Sequence, residues 1–372
     1  MTQKGGLAAL SIDETKTNGT GVGGIFGFES ASLYGVQARI GAYVSQKVYT
    51  LTPDQIDKRN NELFGGDGEP YAYVGEASLS YKNSYFKSQI GRIRVETPYA
   101  DSDDIRMSPN SFEGASAHVD FAEDWHANAL FLSRWAGVDS GDDPSAFKPL
   151  VEDGYGLIAT SLEYDFNADN SFALWYYHVD NESDIVYAEA SGEWPYSATF
   201  HMEWGVQGAY IEERSDSGVG GEVVGGMFIA DFDLLYFGAA YNYVFEHGDN
   251  TITDGFGGGP YYTSLDEQTI GAVSALSPGE DLRVYRLILG MDMTSIGVKG
   301  LNFELFHAHF NLEDSSPEAL ENDVIMTYQI TDRWYFETVF ADVDLKGIDY
   351  SQPDNAHLRN FKRLVTRLDY SF

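Results

Sequence analysis

A chain of 372 residues with 58 acidic and 23 basic side chains carries a net charge of −35. That excludes nucleic acid as a partner, because such binding rests on cations neutralising phosphates. With no cysteine there is neither a disulfide scaffold nor a thiolate metal site, and no run of 18 apolar residues could form a transmembrane helix.

The length fits two or three soluble domains or one large barrel. Aromatic residues make up 15%, with 25 Tyr, 23 Phe and 39 Gly. Strands rich in these residues, with weak overall hydropathy, indicate a transmembrane β-barrel, in which only every second residue meets lipid. Segments of about 10–13 residues, long enough to span a bilayer when tilted, recur from end to end. They fall near 4–13, 19–31, 35–49, 70–81, 85–96, 112–121, 125–138, 153–165, 170–180, 183–192, 197–212, 219–230, 234–246, 281–293, 300–311, 320–330, 333–345 and 360–372. The expectation is one all-β domain over 1–372, an antiparallel barrel of eighteen strands with both termini at the short-turn end. Met1-Thr2-Gln3-Lys4 is not followed by an apolar signal core, so an exported protein would be a mature chain with an added initiator.

Short connections sit beside Tyr34, Tyr81, Tyr85, Trp125, Phe166, Trp194, Tyr236 and Trp334, which predicts an aromatic belt at one membrane interface. The long connections (50–69, 97–111, 139–152, 213–218, 247–280, 312–319 and 346–359) hold most of the acid. The leading expectation for those charges is a solvated surface facing lipopolysaccharide, bridged to it by divalent ions. The alternative is that 247–280, with its Gly255-Phe256-Gly257-Gly258-Gly259 run, joins 97–111 over the pore.

A charge at mid-depth on the lipid face costs about 2–4 kcal/mol, so polar sets must point into the bore. By this rule His201 and Glu203 oppose Met202, Trp204 and Val206, while Asp369 opposes Leu368 and Tyr370. Trp125, Phe131 and Trp135 oppose His126, Asn128 and Arg134. Arg39, Arg92, Arg94, Arg134, Arg286, Arg363 and Arg367 fall on polar faces and form a candidate basic ladder. Such a wall opposite carboxylates would orient dipolar solutes and filter charged ones. Alternatively, the arginines pair with Glu203, Asp369 or loop aspartates and hold a loop in place. The faces of 300–311 and 333–345 are ambiguous.

The stretch 91–115 starts as a strand and breaks at Thr97-Pro98, since proline gives no ladder donor and restricts the residue before it. Asp101, Asp103, Asp104 and Arg106 follow, then Pro109 and a return to strand at Phe112. A loop of this shape can fold inward as a constriction. Gly91-Arg92, Thr97-Pro98-Tyr99, the 103–107 segment and the 109–114 segment resemble the third extracellular loop of OprD-type outer-membrane porins. The likeness is greatest to the branch containing the major porins of Campylobacter-like bacteria. The resemblance implies a passive outer-membrane channel with an inward third loop, a basic ladder and a homotrimer, although many OprD-type members purify as monomers. Its partners would be outer-membrane lipid, lipopolysaccharide, and small polar solutes and ions. No enzyme is expected, because neither Gly-x-Ser-x-Gly nor a phosphate-cradling glycine loop is present. No cofactor is expected except Ca²⁺ at Asp101, Asp103 and Asp104; their spacing is not that of an EF-hand, so an ion would need further carboxylates. His307 and His309 share a strand face without an evident third metal ligand.

Overall fold

The computed structural model describes residues 3–13, 18–48, 63–65, 68–103, 107–141, 143–197, 199–245, 248–313, 317–348 and 360–372. Among them are eighteen long strands. In chain order they are β1 (Gln3–Asp13), β2 (Asn18–Glu29), β3 (Val36–Lys47), β4 (Tyr71–Lys82), β5 (Phe86–Ile93) and β6 (Ser111–Ala122). Then come β7 (Trp125–Ala136), β8 (Leu157–Asn167), β9 (Asn170–Val179), β10 (Ser183–Ser197), β11 (Phe200–Glu213) and β12 (Gly221–Asp231). The last six are β13 (Leu235–Phe245), β14 (Leu282–Asp292), β15 (Leu301–Leu312), β16 (Glu318–Gln329), β17 (Trp334–Lys346) and β18 (Phe361–Ser371). Each pairs antiparallel with the next, and β18 pairs back with β1 through Lys4–Ser371 and Asp13–Arg363. The fold is an antiparallel transmembrane β-barrel, in which the ladder returns to its start and no long strand is left as an edge.

Alternation places one side chain in two outward. Ile158 and Leu162 on β8 are exposed, whereas Leu157 and Ala159, on the alternate face, are buried. In a membrane that exposed face meets hydrocarbon. At the short-turn end Tyr34, Tyr85, Phe166, Trp194, Tyr196 and Phe232 stand outward as a belt. Tyr236 departs from the expected belt: it is in register with Asp231 and turns inward to donate to Glu304 at 2.6 Å. The tight turns there place Asp124 and Asp233 at φ 62° and 73°, a left-handed geometry that Asp tolerates.

Two arginines of the ladder lie on the other side of the wall. In β5 it is Ile90 that is exposed, and its phase partner Arg92 pairs in register with Glu113 on the outward face. Ile93, which alternates with the expected ladder residues Arg92 and Arg94, is fully buried within the bore. In β7 the register skips Ser133, and this bulge reverses the phase beyond it. Arg134 therefore turns outward beside Glu113, while Trp135 turns inward and stacks on Phe112. Arg92 and Arg134 reach Glu113 at 3.0 and 3.3 Å, under the side chain of Phe147.

The two ambiguous strands resolve the same way. On β15, Phe303 and Leu305 face out and Phe306, Ala308 and Phe310 face in; on β17, Phe340 faces out and Ala341 and Val343 face in. Both faces are apolar because, toward the long loops, inward-folded chain covers much of the bore wall. Ile93, Tyr99, Phe112, Leu132, Tyr177 and Phe256 belong to one buried cluster there.

Candidate functional site

The cluster exists because two connections leave the wall and fold into the bore. The first, described over 94–103 and 107–110, starts where β5 ends. Thr97-Pro98 makes the expected reversal, pairing Glu96–Thr97 with Ala100–Asp101. Thr97 Oγ1 donates to the Ala100 carbonyl at 2.9 Å, and the Val95 N–H donates to Ser102 Oγ at 2.9 Å. Asn110 closes the loop by donating to Asp139 at 2.6 Å and to the Asp101 carbonyl at 3.3 Å. These bonds give the loop a fixed shape without a regular sheet.

The second connection, 248–281, does not stand out over lipopolysaccharide. It enters the bore and packs on the first. The Asp101 N–H donates to the Phe256 carbonyl at 2.9 Å, and the Phe256 N–H donates to the Tyr99 carbonyl at 3.0 Å. The buried hydroxyls of Tyr99 and Tyr261 meet at 2.7 Å. Gly255 makes this approach possible: at φ 75°, a Cβ would lie 2.4 Å from the Tyr99 carbonyl oxygen. A short helix, α1 (Ile270–Ser274), follows, with Thr269 accepting from the Ala272 N–H at 3.2 Å.

Wall side chains hold this loop. Arg363 pairs with Asp266 and Glu267. Arg286 donates to the Tyr262 and Ser264 carbonyls at 3.2 and 3.3 Å, with its guanidinium over Phe306. Glu321 accepts from the Glu267 and Gln268 N–H groups at 3.0 and 2.7 Å. Tyr262 donates to Glu189 at 2.6 Å, and Thr263 to Asn242 at 2.9 Å. Inside the loop, Asp254 accepts from the Gly271 N–H at 3.2 Å and from Thr269 at 2.5 Å. Burial pushes its carboxyl up to about 6, against those donors.

Between the first loop and the wall lies a space of about 650 Å³ lined by Arg94, Glu96, Asp101, Asp103, Tyr187 and Glu189. Burial raises the Asp101 carboxyl above its ordinary range, opposed by the Ser102 N–H. A second space of about 640 Å³ lies toward the short turns, with Lys87, Gln89, His118, Asn128 and Glu163 on its walls. Arg94, Glu96 and Thr97 line both, so the two adjoin at that point.

Of the expected constriction residues, Asp101 and Asp103 stand at this space; Asp104 and Arg106 lie outside the described residues. The aspartate trio considered for Ca²⁺ is therefore not described as a group. Among the ladder arginines, Arg39 faces in and is paired with Glu76 and with Glu29 at 3.4 Å. Arg367 faces in, 2.9 Å from Glu337 and 3.7 Å from Asp369. His201 lies 3.3 Å from Asp231, and Glu203 is on the same inward face. His307 and His309 point outward, contacting Asn322 at 2.8 Å and Glu318 at 3.4 Å. Sequence reasoning passed over Glu96, Tyr187 and Glu189, although the alternation of β10 puts 187 and 189 on one face.

No family model matches the sequence, and no curated protein matches it. Solved structures do match over the whole chain. Pseudomonas aeruginosa OccK9 (OpdG) superposes with a TM-score of 0.83 at 16% identity, covering 100% of this chain and 98% of that one. P. aeruginosa OpdK with vanillate gives 0.81 at 15%, covering 100% and 98%. Acinetobacter baumannii OccAB4 gives 0.75 at 14%, covering 100% and 96%. The chain has the fold of the OprD/Occ outer-membrane porins. At this identity the likeness speaks for the fold alone, and it does not bear out the expected closeness to Campylobacter-like porins.

Proposed function

We propose that this barrel is a water-filled passive channel for small hydrophilic solutes and ions across an outer membrane, with a preference for cations. The observation that carries the reading is the continuous lining from the lower bore past Arg94 to the space beside the first loop. There one guanidinium faces the carboxylates of Glu96, Asp101, Asp103 and Glu189. Water-filled passages that oppose a cation to several acids admit zwitterions and favour cations over anions. In this reading Arg39, Arg286, Arg363 and Arg367 do not form an open basic ladder, because their charges meet acids or carbonyls; Arg286 and Arg363 serve as anchors for the second loop. The resemblance of 91–114 favours a trimer. Reversal potentials in a salt gradient across a planar bilayer test the proposal: cation preference is expected, and anion preference refutes it.

A second reading is a channel selective for small carboxylates. It is favoured by Lys87 and Arg94 along the same path and by the fold shared with OpdK, whose structure contains vanillate. Liposome swelling with amino acids against vanillate and dicarboxylates separates the two. A third reading, a plugged barrel with a structural or adhesive role, predicts no single-channel conductance.

A further inference from the structure

The lower bore holds a cluster that the channel reading does not use. His118 and Asp120 on β6 and His126 on β7 all point inward, close to the turn at 123–124. The two imidazole rings stack with centroids 5.9 Å apart. Asp120 Oδ1 lies 2.9 Å from His118 Nε2 and 2.7 Å from His126 Nδ1.

The other nitrogen of each ring already faces an acceptor. His118 Nδ1 is 2.9 Å from Asn128 Oδ1, and His126 Nε2 is 3.0 Å from Asp165 Oδ2. The Asn128 amide is oriented by its own donors, since Nδ2 reaches Ser161 Oγ and Glu163 Oε1, each at 2.7 Å. Its oxygen must then face His118. An acceptor opposite one ring nitrogen draws the ring proton there and leaves the lone pair on the other. With the ring protons directed at those outer partners, both lone pairs converge on a carboxylate oxygen, which has no proton to give; a neutral ring turned the other way sets its lone pair against Asn128 or Asp165 instead. Three acceptors facing one another require a positive charge among them, either extra protons or a metal ion.

Outer acceptors that fix the tautomer and orientation of two histidines are the usual support of a metal site. We propose that His118 Nε2, Asp120 Oδ1 and His126 Nδ1 bind one divalent transition-metal ion, with Zn²⁺ the best match, and that Asn128 and Asp165 orient the two imidazoles. Two nitrogens and one carboxylate suit Zn²⁺ better than Ca²⁺ or Mg²⁺, which take oxygen. The three ligand atoms lie within 4.8 Å of one another. Zinc bonds of about 2.0–2.2 Å space tetrahedral ligands roughly 3.3 Å apart, so the two contacts to Asp120 Oδ1 need open by about half an ångström. All three side chains are partly open to the bore, which leaves a fourth position for water. Lys87, the register partner of His118, is outnumbered by Asp120, Glu163 and Asp165. A dication held there adds positive charge near the short-turn mouth and reduces cation passage.

Titration calorimetry with Zn²⁺ on the full-length protein in detergent, with excess Mg²⁺ to occupy loop carboxylates, should give one ion per chain. The site should be lost in the His118→Asn/His126→Asn double variant. Asp165→Asn should weaken binding by about 10–100-fold. Zn²⁺ added from the short-turn side should lower single-channel current in the unaltered protein and not in the double variant. Equal Zn²⁺ binding by the unaltered protein and the double variant, or binding by neither, overturns the proposal. If the double variant does not assemble, the absorption spectrum of Co²⁺ on the unaltered protein decides. Intense bands of a four-coordinate ion are expected, and the weak bands of an octahedral oxygen-bound ion would overturn it. Calorimetry needs no conduction, so this site and the channel reading fail independently.

Discussion

The two halves of the bore share the same strands and differ in what fills them. Toward the long loops, Ile93, Phe112, Trp135 and Phe256 pack as in a soluble core, and the polar groups that enter, such as Arg363 with Asp266 and Glu267, are paired. Toward the short turns, Lys87, His118, Asn128 and Glu163 border open space. The inner face of a strand is thus not polar because it is inner. It is polar where it meets water and apolar where a loop covers it, and one strand, β7, changes from one to the other along its length.

The sharpest way to break this contrast is to empty the packed half. Arg363 is 5% exposed and faces two acids, and removing one partner of a buried ion pair costs about 3–5 kcal/mol. Arg363→Ala should therefore release 248–281 while leaving the strand ladder intact. The expected outcome is new protease cleavage within that loop, together with larger and noisier single-channel currents. Next in size is a pH effect from Asp254. Its folded value near 6 lies above the unfolded value of roughly 3.9, so the seated loop binds the extra proton between them. The contribution of Asp254 to seating is then fullest below about pH 4 and is lost as pH rises through 6, by about 3 kcal/mol for two units. Hydrogen exchange in 252–272 should be slower at pH 5 than at pH 7.5 after correction for intrinsic rates, and Asp254→Asn should remove the difference. Smaller still is Tyr99→Phe, which deletes the hydroxyl contact with Tyr261. It should cost about 1 kcal/mol, seen as faster exchange in both loops with the barrel melting point unchanged.

The barrel itself was legible because lipid imposes a period of two on every strand and aromatics mark the turns. The inward fold of 97–111 could be read from its prolines. The entry of 248–281 was legible only as the second of two readings, since acids in a long loop read as solvated when their partners, Arg363 and Glu321, lie far away in sequence. The glycines at 255–259 were the available signal: they read as flexibility but serve a close backbone approach. Trp135 and Arg134 were misplaced because a bulge at Ser133 carries no composition mark, and Arg92 because Ile93 looks lipid-facing unless something inside covers it.

The smallest expected effect tests the boundary between the two halves. Arg94 lines both spaces, whereas Arg367 near the short-turn mouth lies against Glu337 and Asp369. If selectivity is set where the bore passes the first loop, Arg94→Ala leaves Glu96, Asp101, Asp103 and Glu189 dominant there, and cation preference rises. A partly hydrated charge contributes about 1 kcal/mol or less, so the permeability ratio should change by no more than roughly fivefold. The change should grow as ionic strength falls and screening lengthens beyond about 10 Å. Arg367→Ala should leave the ratio nearer to that of the unaltered protein, because its neighbouring carboxylates dominate that section with or without it. Reversal potentials of both variants at high and low salt would show this, and a larger change for Arg367→Ala would move the selective section out of the constriction and into the lower bore.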